Sequence, residues 1–209
     1  MQILRQPLPY GLCSRSCPAP FTSHGFTAIE LMVVVSILAI LTALALPSFR
    51  PLMERWRVRE AAENLQSTIY FARSEAIKRS GSVIIEKSPN SGPCTTATAN
   101  NQWGCGWNVF FDADGNGTQG ACIAANNPNE CTLQVVAAPT RISINLPGNS
   151  GKISVDRWGM LSHTGGANAP TAMFFDLMPQ GKTLADSNAA RICVSSGGRI
   201  TRKMGNEAC

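Results

Sequence analysis

The stretch "SHGFTAIELMVVVSILAILTALALPSF", residues 23–49, decides how the rest of the chain is read. From Phe26 to Leu46 there are 21 residues, and Glu30 is the only charged one. At a rise of ~1.5 Å per residue such a helix spans about 30 Å, the thickness of a bilayer's hydrocarbon core. A secretory signal peptide has a shorter apolar core with a small-residue cleavage site after it. Here the small residue, Gly25, comes before the apolar run, and no A-x-A follows. The run therefore reads as a membrane anchor over 26–47. Glu30 is then the anomaly. A carboxylate deep in lipid costs roughly 2.5–3.5 kcal/mol, less near the headgroups, and usually has a partner. No Lys or Arg lies within the segment. Cleavage after Gly25 would create an α-ammonium on Phe26, and that charge, on this chain or a neighbour, could pair with Glu30.

Working outward, the cysteines divide around this segment. Cys13 and Cys17 precede it, and Cys94, Cys105, Cys122, Cys131, Cys193 and Cys209 follow it. Six cysteines beyond a membrane segment point to disulfides in an oxidising compartment. Zinc is the weaker reading, because there is no CxxC and His163 is the only histidine beyond the anchor. The chain has 209 residues and a net charge of +5, too mild by itself to indicate nucleic acid.

Residues 50–80 continue as a helix. Val58, Ala62, Leu65, Ile69, Ala72 and Ala76 recur at steps of four and three, which is one apolar stripe made to pack on a sheet. Gly81 is the expected stop, with Lys78 and Arg79 at the negative end of the helix dipole. Arg50, Arg55, Arg57 and Arg59, just beyond the anchor, read as a solvated face touching lipid phosphate.

Residues 81–209 read as strands and turns. "SVIIEK", "GWNVFFD", "TLQVVAA", "RISINL", "KISVD", "MFFDL", "RICVS" and "RITRK" give eight short strands and a mainly antiparallel sheet. Trp107, Val109 and Phe111 alternate on one face. "DADGNG" sets Asp112, Asp114 and Asn116 at the 1, 3, 5 spacing of a calcium loop, but position 12 is Ile123, so the stretch reads as a hairpin turn. Gly117 is read as standing where such a loop needs no glycine in particular, which also speaks for a plain turn. Proximity in the sequence pairs Cys94 with Cys105 and Cys122 with Cys131, each closing a loop. Cys193 and Cys209 are placed to fold the tail back on a C-terminal hairpin that turns at Gly197-Gly198. His163 lies in a Gly-rich loop with no nucleophile or carboxylate beside it in any motif, so no enzyme, cofactor or metal is assigned.

"G-FTAIEL" resembles the processing site of type IV prepilins and type II secretion pseudopilins, with Gly25, Phe26, Thr27, Glu30 and Leu31 in register. The resemblance implies a leader, residues 1–25, cut after Gly25 by a prepilin peptidase that also methylates Phe26. It implies a role for Glu30 in methylation and in docking the subunit into a filament. Pro47 falls where this family carries a helix-disturbing Pro. Cys13 and Cys17 would leave with the leader. "YFARSEAIKRSGSVII", "WGCGWNVFFDADGNG" and "ISVDRWGMLS" resemble the GspH/FimT branch of the same family. The fold so implied is α+β and type IV pilin-like, with a long N-terminal helix over 26–80 on the β-rich domain of 81–209. The implied localisation is a single pass of the inner membrane with a periplasmic domain, and the implied partners are other minor and major pilins or pseudopilins.

The last basic residues are Arg191, Arg199, Arg202 and Lys203. Some FimT-type minor pilins bind DNA through a G-R-x-R motif in this region. Here Gly198-Arg199-Ile200-Thr201-Arg202 is one residue longer. A regular strand puts Arg199 and Lys203 on one face and Arg202 on the other. Phosphate contacts tolerate that better than base readout does. Double-stranded DNA is thus a candidate partner. A minor pilin is the first reading of the chain, and the H-type minor pseudopilin of a type II secretion system is the alternative.

Overall fold

The computed structural model describes residues 25–45, 49–122, 130–148, 151–163 and 169–209. The leader up to residue 24, with Cys13 and Cys17, and the expected kink at Pro47 lie outside them. The chain divides into two compact units, Met1–Ala45 and Leu46–Cys209.

The first unit holds α1, Ala28–Ala45. Thr27 caps it: its Oγ1 accepts the Glu30 N–H at 3.3 Å and its carbonyl accepts the Leu31 N–H at 3.2 Å. Threonine followed three residues later by glutamate is the sequence of a capping box. Glu30 sits in the first turn, where the positive end of the helix dipole favours a carboxylate. The two hydroxyls farther along bond back to their own helix, Ser36 to the Met32 carbonyl and Thr42 to the Ala39 carbonyl. Among the described residues no single helix is long and apolar enough to cross a membrane. The 18 residues of α1 rise about 27 Å.

The second unit begins with α2, Phe49–Arg79. Pro51 falls in its first turn, where the missing N–H costs nothing. The whole predicted stripe is buried, and Ala61 and Thr68 join it. The expected stop at Gly81 is displaced by one residue. Ser80 takes the left-handed position (φ 51°), and Ser80 and Gly81 donate to the Ile77 and Ala76 carbonyls, a Schellman closure. Gly81 serves differently: a Cβ there would stand 2.7 Å from the Phe111 ring.

Among the described residues nine strands follow instead of eight: β1 Ser82–Lys87, β2 Trp107–Asp112, β3 Thr132–Val136, β4 Ile142–Asn145, β5 Lys152–Val155, β6 Leu161–Ser162, β7 Met173–Pro179, β8 Ala190–Val194 and β9 Ile200–Met204. They form two antiparallel sheets, not one, in the orders β3-β2-β1-β5-β6 and β4-β7-β8-β9. α2 packs against β1, β2 and β5 of the first and β4, β7 and β8 of the second. Its alanines suit that position, because small side chains let a helix lie close to two converging sheets.

Trp103 and Trp107 fill the space beneath it. Both are fully buried, Trp103 stands edge-on to Phe175 of the second sheet at 5.8 Å, and Trp107 donates its indole N–H to Thr68 Oγ1 at 3.0 Å. Trp103 comes from the loop after β1, which crosses to the second sheet by Trp103 N–H to the Ile144 carbonyl and Leu146 N–H to the Asn101 carbonyl. The Cys94–Cys105 disulfide closes that loop. Val109 joins the core and Phe111 packs at its edge, whereas Phe110, opposite Ile84 in the ladder, is fully buried outside it.

Candidate functional site

At the N-terminus, Gly25, Phe26 and Thr27 are exposed and precede the first turn of α1, so the peptide bond after Gly25 lies outside regular structure. Phe26 is 82 % exposed, and the large side chains from Ile29 to Leu44 are all more than half exposed. An apolar helix left uncovered on every side in this way calls for lipid or another subunit around it.

The basic C-terminal hairpin is formed by β8 and β9 and closed by Gly198 N–H to the Ser195 carbonyl. Its four cations have different surroundings. Arg191 pairs with the nearly buried Asp176 across the β7–β8 ladder at 2.6 Å, donates to the Glu207 carbonyl at 3.1 Å and stands 4.5 Å over the Phe174 ring. Arg191 is therefore a structural cation. Lys203 donates to the Ala208 carbonyl at 2.5 Å, holding the tail that the Cys193–Cys209 disulfide ties down. Arg199 and Arg202 are exposed. Arg199, Thr201 and Lys203 line a groove of about 610 Å³ beside Phe174 and Cys209, and Arg202 does not, as strand alternation requires.

A residue without a predicted role organises the same hairpin. Arg73, from the C-terminal third of α2, donates to the Gly198 carbonyl at 2.8 Å. A Cβ on Gly198 (φ 80°) would stand 2.6 Å from that guanidinium, so the turn needs glycine for both conformation and space. Arg73 Nε also reaches to within 3.3 Å of the Cβ position of Gly159, in the β5–β6 turn. One side chain thus touches a turn of each sheet. "ARSEA" shows Arg73 at sequence level, but nothing there says which turns it meets.

The turn after β2 is the most acidic place in the domain. Asp112, Asp114 and Glu130 bring one carboxylate oxygen each to within 4.8 Å of one another. Asp112 is 1 % exposed and Glu130 3 %. Burial pushes the Asp112 carboxyl above its ordinary range, the Gly117 N–H opposes the rise, and the charges of Glu130 and Asp114 add to it. Sequence reasoning passed over Glu130 because it stands at the far end of the Cys122–Cys131 loop, well removed from the turn in sequence; that disulfide, next to Glu130 in the chain, brings it back to the turn.

The remaining candidates are simpler. His163 is half-buried with Nε2 at 3.4 Å from the Ala172 carbonyl. Near the start of α2, Arg59 pairs with Glu63 at 2.7 Å and lies 6.0 Å over the Trp56 ring, which is itself 58 % exposed.

A capped apolar helix and an amphipathic helix packed on antiparallel sheets define a pilin-like protein. A family described as Type II transport protein GspH matches residues 61–198, well over half of the chain, and the chain belongs to that family, the GspH/FimT-type minor pilins and pseudopilins. Among solved structures, the type IV minor pilin FimU of Pseudomonas aeruginosa matches 76 % of this chain and 96 % of its own at 19 % identity, with a TM-score of 0.51, a likeness of fold. The minor pseudopilin EpsH of the type 2 secretion system of Vibrio cholerae matches 72 % of this chain and 99 % of its own, at 9 % identity and a TM-score of 0.45. Family and fold neighbours are structural subunits and not enzymes.

Proposed function

We propose that this chain is a minor type IV pilin that primes or caps pilus assembly. Its leader, residues 1–25, is cut after Gly25 by a prepilin peptidase, which methylates Phe26. The apolar segment 26–47 then holds the subunit in the inner membrane, with residues 81–209 in the periplasm, until other pilins take it up. The observation that carries this reading is α1 itself: an apolar helix with its large side chains uncovered, capped at Thr27 beside an exposed Gly25-Phe26 bond. Glu30 fits it twice, as first-turn acid of α1 and as partner for the Phe26 ammonium of this or a neighbouring subunit.

A second reading, the H-type minor pseudopilin of a type II secretion system, is favoured by the family's own description. Deleting the gene separates the two. A pilin's loss abolishes twitching and spares exoprotein release, and a pseudopilin's loss does the reverse. No change in either excludes both.

DNA capture for uptake would sit on top of the first reading. It is supported by Arg199, exposed next to the tight turn, and Arg202, exposed on β9, with Lys203 in the groove beside Arg199. Arg191 supports it only by bracing the hairpin. The test is a gel shift with the full chain in detergent. Salt-sensitive binding to duplex DNA, weakened in the triple variant Arg199→Ala, Arg202→Ala and Lys203→Ala, is expected. Equal binding by that variant, or none at low salt, removes the DNA reading and leaves the filament reading intact.

A further inference from the structure

The Asp112 turn has the parts of a divalent-cation site. Asp112, Asp114 and Asn116 occupy positions 1, 3 and 5 of a calcium loop, and Gly117 (φ 71°), contrary to the sequence reading, occupies position 6, where such loops carry glycine for their sharp turn. Asp112 Oδ2 accepts the Gly117 N–H at 3.1 Å. The carboxylate missing at position 12 is supplied from farther along the chain by Glu130. Its Oε1 accepts the Ala113 and Asp114 N–H groups and its Oε2 the Gly120 N–H, which fixes it against the turn.

One atom is left over. Asp112 Oδ1 is buried and has no hydrogen-bond donor among the described residues. A buried carboxylate oxygen without a partner is costly, and a like-charged neighbourhood makes it more so. Among the described residues no ion pair is seen between a Lys or Arg and Asp112, Asp114 or Glu130; Lys152 donates into the turn at the Gly117 carbonyl, 2.7 Å away, and pairs with Glu86 at 3.2 Å. The spacing also fits. Calcium–oxygen distances of about 2.4 Å put opposite ligands ~4.8 Å apart, and the three carboxylate oxygens lie within 4.8 Å of one another.

We propose that Asp112, Asp114 and Glu130 bind one calcium ion that ties the β2–β3 connection to the first sheet. Asp112 Oδ1 supplies the open buried ligand, Glu130 Oε2 a single oxygen with a lone pair to spare, and Asp114 the loop side, held there by the Asn116 amide that donates to its Oδ2. The donors are all hard carboxylate oxygens. That set suits calcium, which accepts irregular shells of six to eight oxygens, better than magnesium, which demands a regular octahedron.

The test uses the full chain in detergent, stripped with EDTA and titrated with calcium chloride by calorimetry and thermal melting. A Kd on the order of 10⁻⁴ M and a Tm raised by roughly 5–10 °C at about 10 mM calcium are expected. Asp112→Asn and Glu130→Gln are expected to abolish both effects. Asp114→Asn alters only an exposed side chain, so it folds even where the buried variants do not, and it is expected to weaken binding at least about tenfold. A wild-type Tm identical in EDTA and calcium, or an Asp114→Asn protein that binds calcium like the wild type, overturns the proposal.

Discussion

The two charged regions of the domain resolve their charge in opposite ways. In the C-terminal hairpin each of two cations is matched: Arg191 by Asp176 and Phe174, Lys203 by the Ala208 carbonyl. In the β2–β3 connection three carboxylates face one another, stabilised by backbone N–H groups and a cap from Asn116, with Asp112 Oδ1 left open. The hairpin therefore commits two of its four cations, Arg191 and Lys203, to its own fold, whereas the turn keeps its charge for something else. A cluster of like charges in a sequence has no fixed meaning until the residues opposite it are known.

The contrast breaks most sharply under substitution of one acid in each region. Asp176→Ala leaves Arg191 largely buried without its carboxylate, and is expected to cost about 3–5 kcal/mol in a urea unfolding titration. Asp112→Asn in EDTA removes a buried charge with no cation, and is expected to leave stability unchanged or raised. Equal losses in both would erase the distinction. The disulfides come next. Replacing Cys193 and Cys209 by Ser opens a loop of sequence separation 16, and is expected to cost about 3 kcal/mol. The pair Cys122 and Cys131, with separation 9, should cost slightly less but loosen Glu130.

The Asp112 carboxyl titrates above its ordinary range, so the folded form binds a proton more tightly than the unfolded chain does. In EDTA its contribution to stability is unfavourable at neutral pH and is relieved as pH falls through the folded value towards the unfolded one. Glu75 runs the other way. Its bond to Arg79, with help from Lys78, lowers its carboxyl, so its contribution is present above the unfolded value and lost as pH falls through the folded one. Unfolding titrations of Asp112→Asn and Glu75→Gln across the acid range should therefore deviate from the wild type with opposite signs. The smallest effect is expected for Arg199→Ala with Arg202→Ala, which touches exposed side chains and should shift stability by no more than about 0.5 kcal/mol. A larger loss would mean that these arginines serve the fold.

Local pattern made much of this architecture legible. The α2 stripe followed from helical spacing alone, because its residues meet the core through one face. Eight strands followed from short β-branched and aromatic runs between turns, and the two-residue β6 was too short to leave such a pattern. What pattern could not show was the division into two sheets, since pairing across a domain leaves no mark in linear spacing. The same holds at the charged regions. Asp176 meets Arg191 through ladder register, and Glu130 meets Asp112 around a disulfide-closed loop. Ser80 replaced Gly81 at the helix end because Gly81 is needed against Phe111 one residue later.

Whether residues 23–49 are both a cut site and a filament anchor is decided by mass spectrometry of the mature protein from its native membrane. A chain beginning at N-methylated Phe26, with six hydrogens lost to the three disulfides, is expected. A chain that retains residues 1–25 would contradict that expectation.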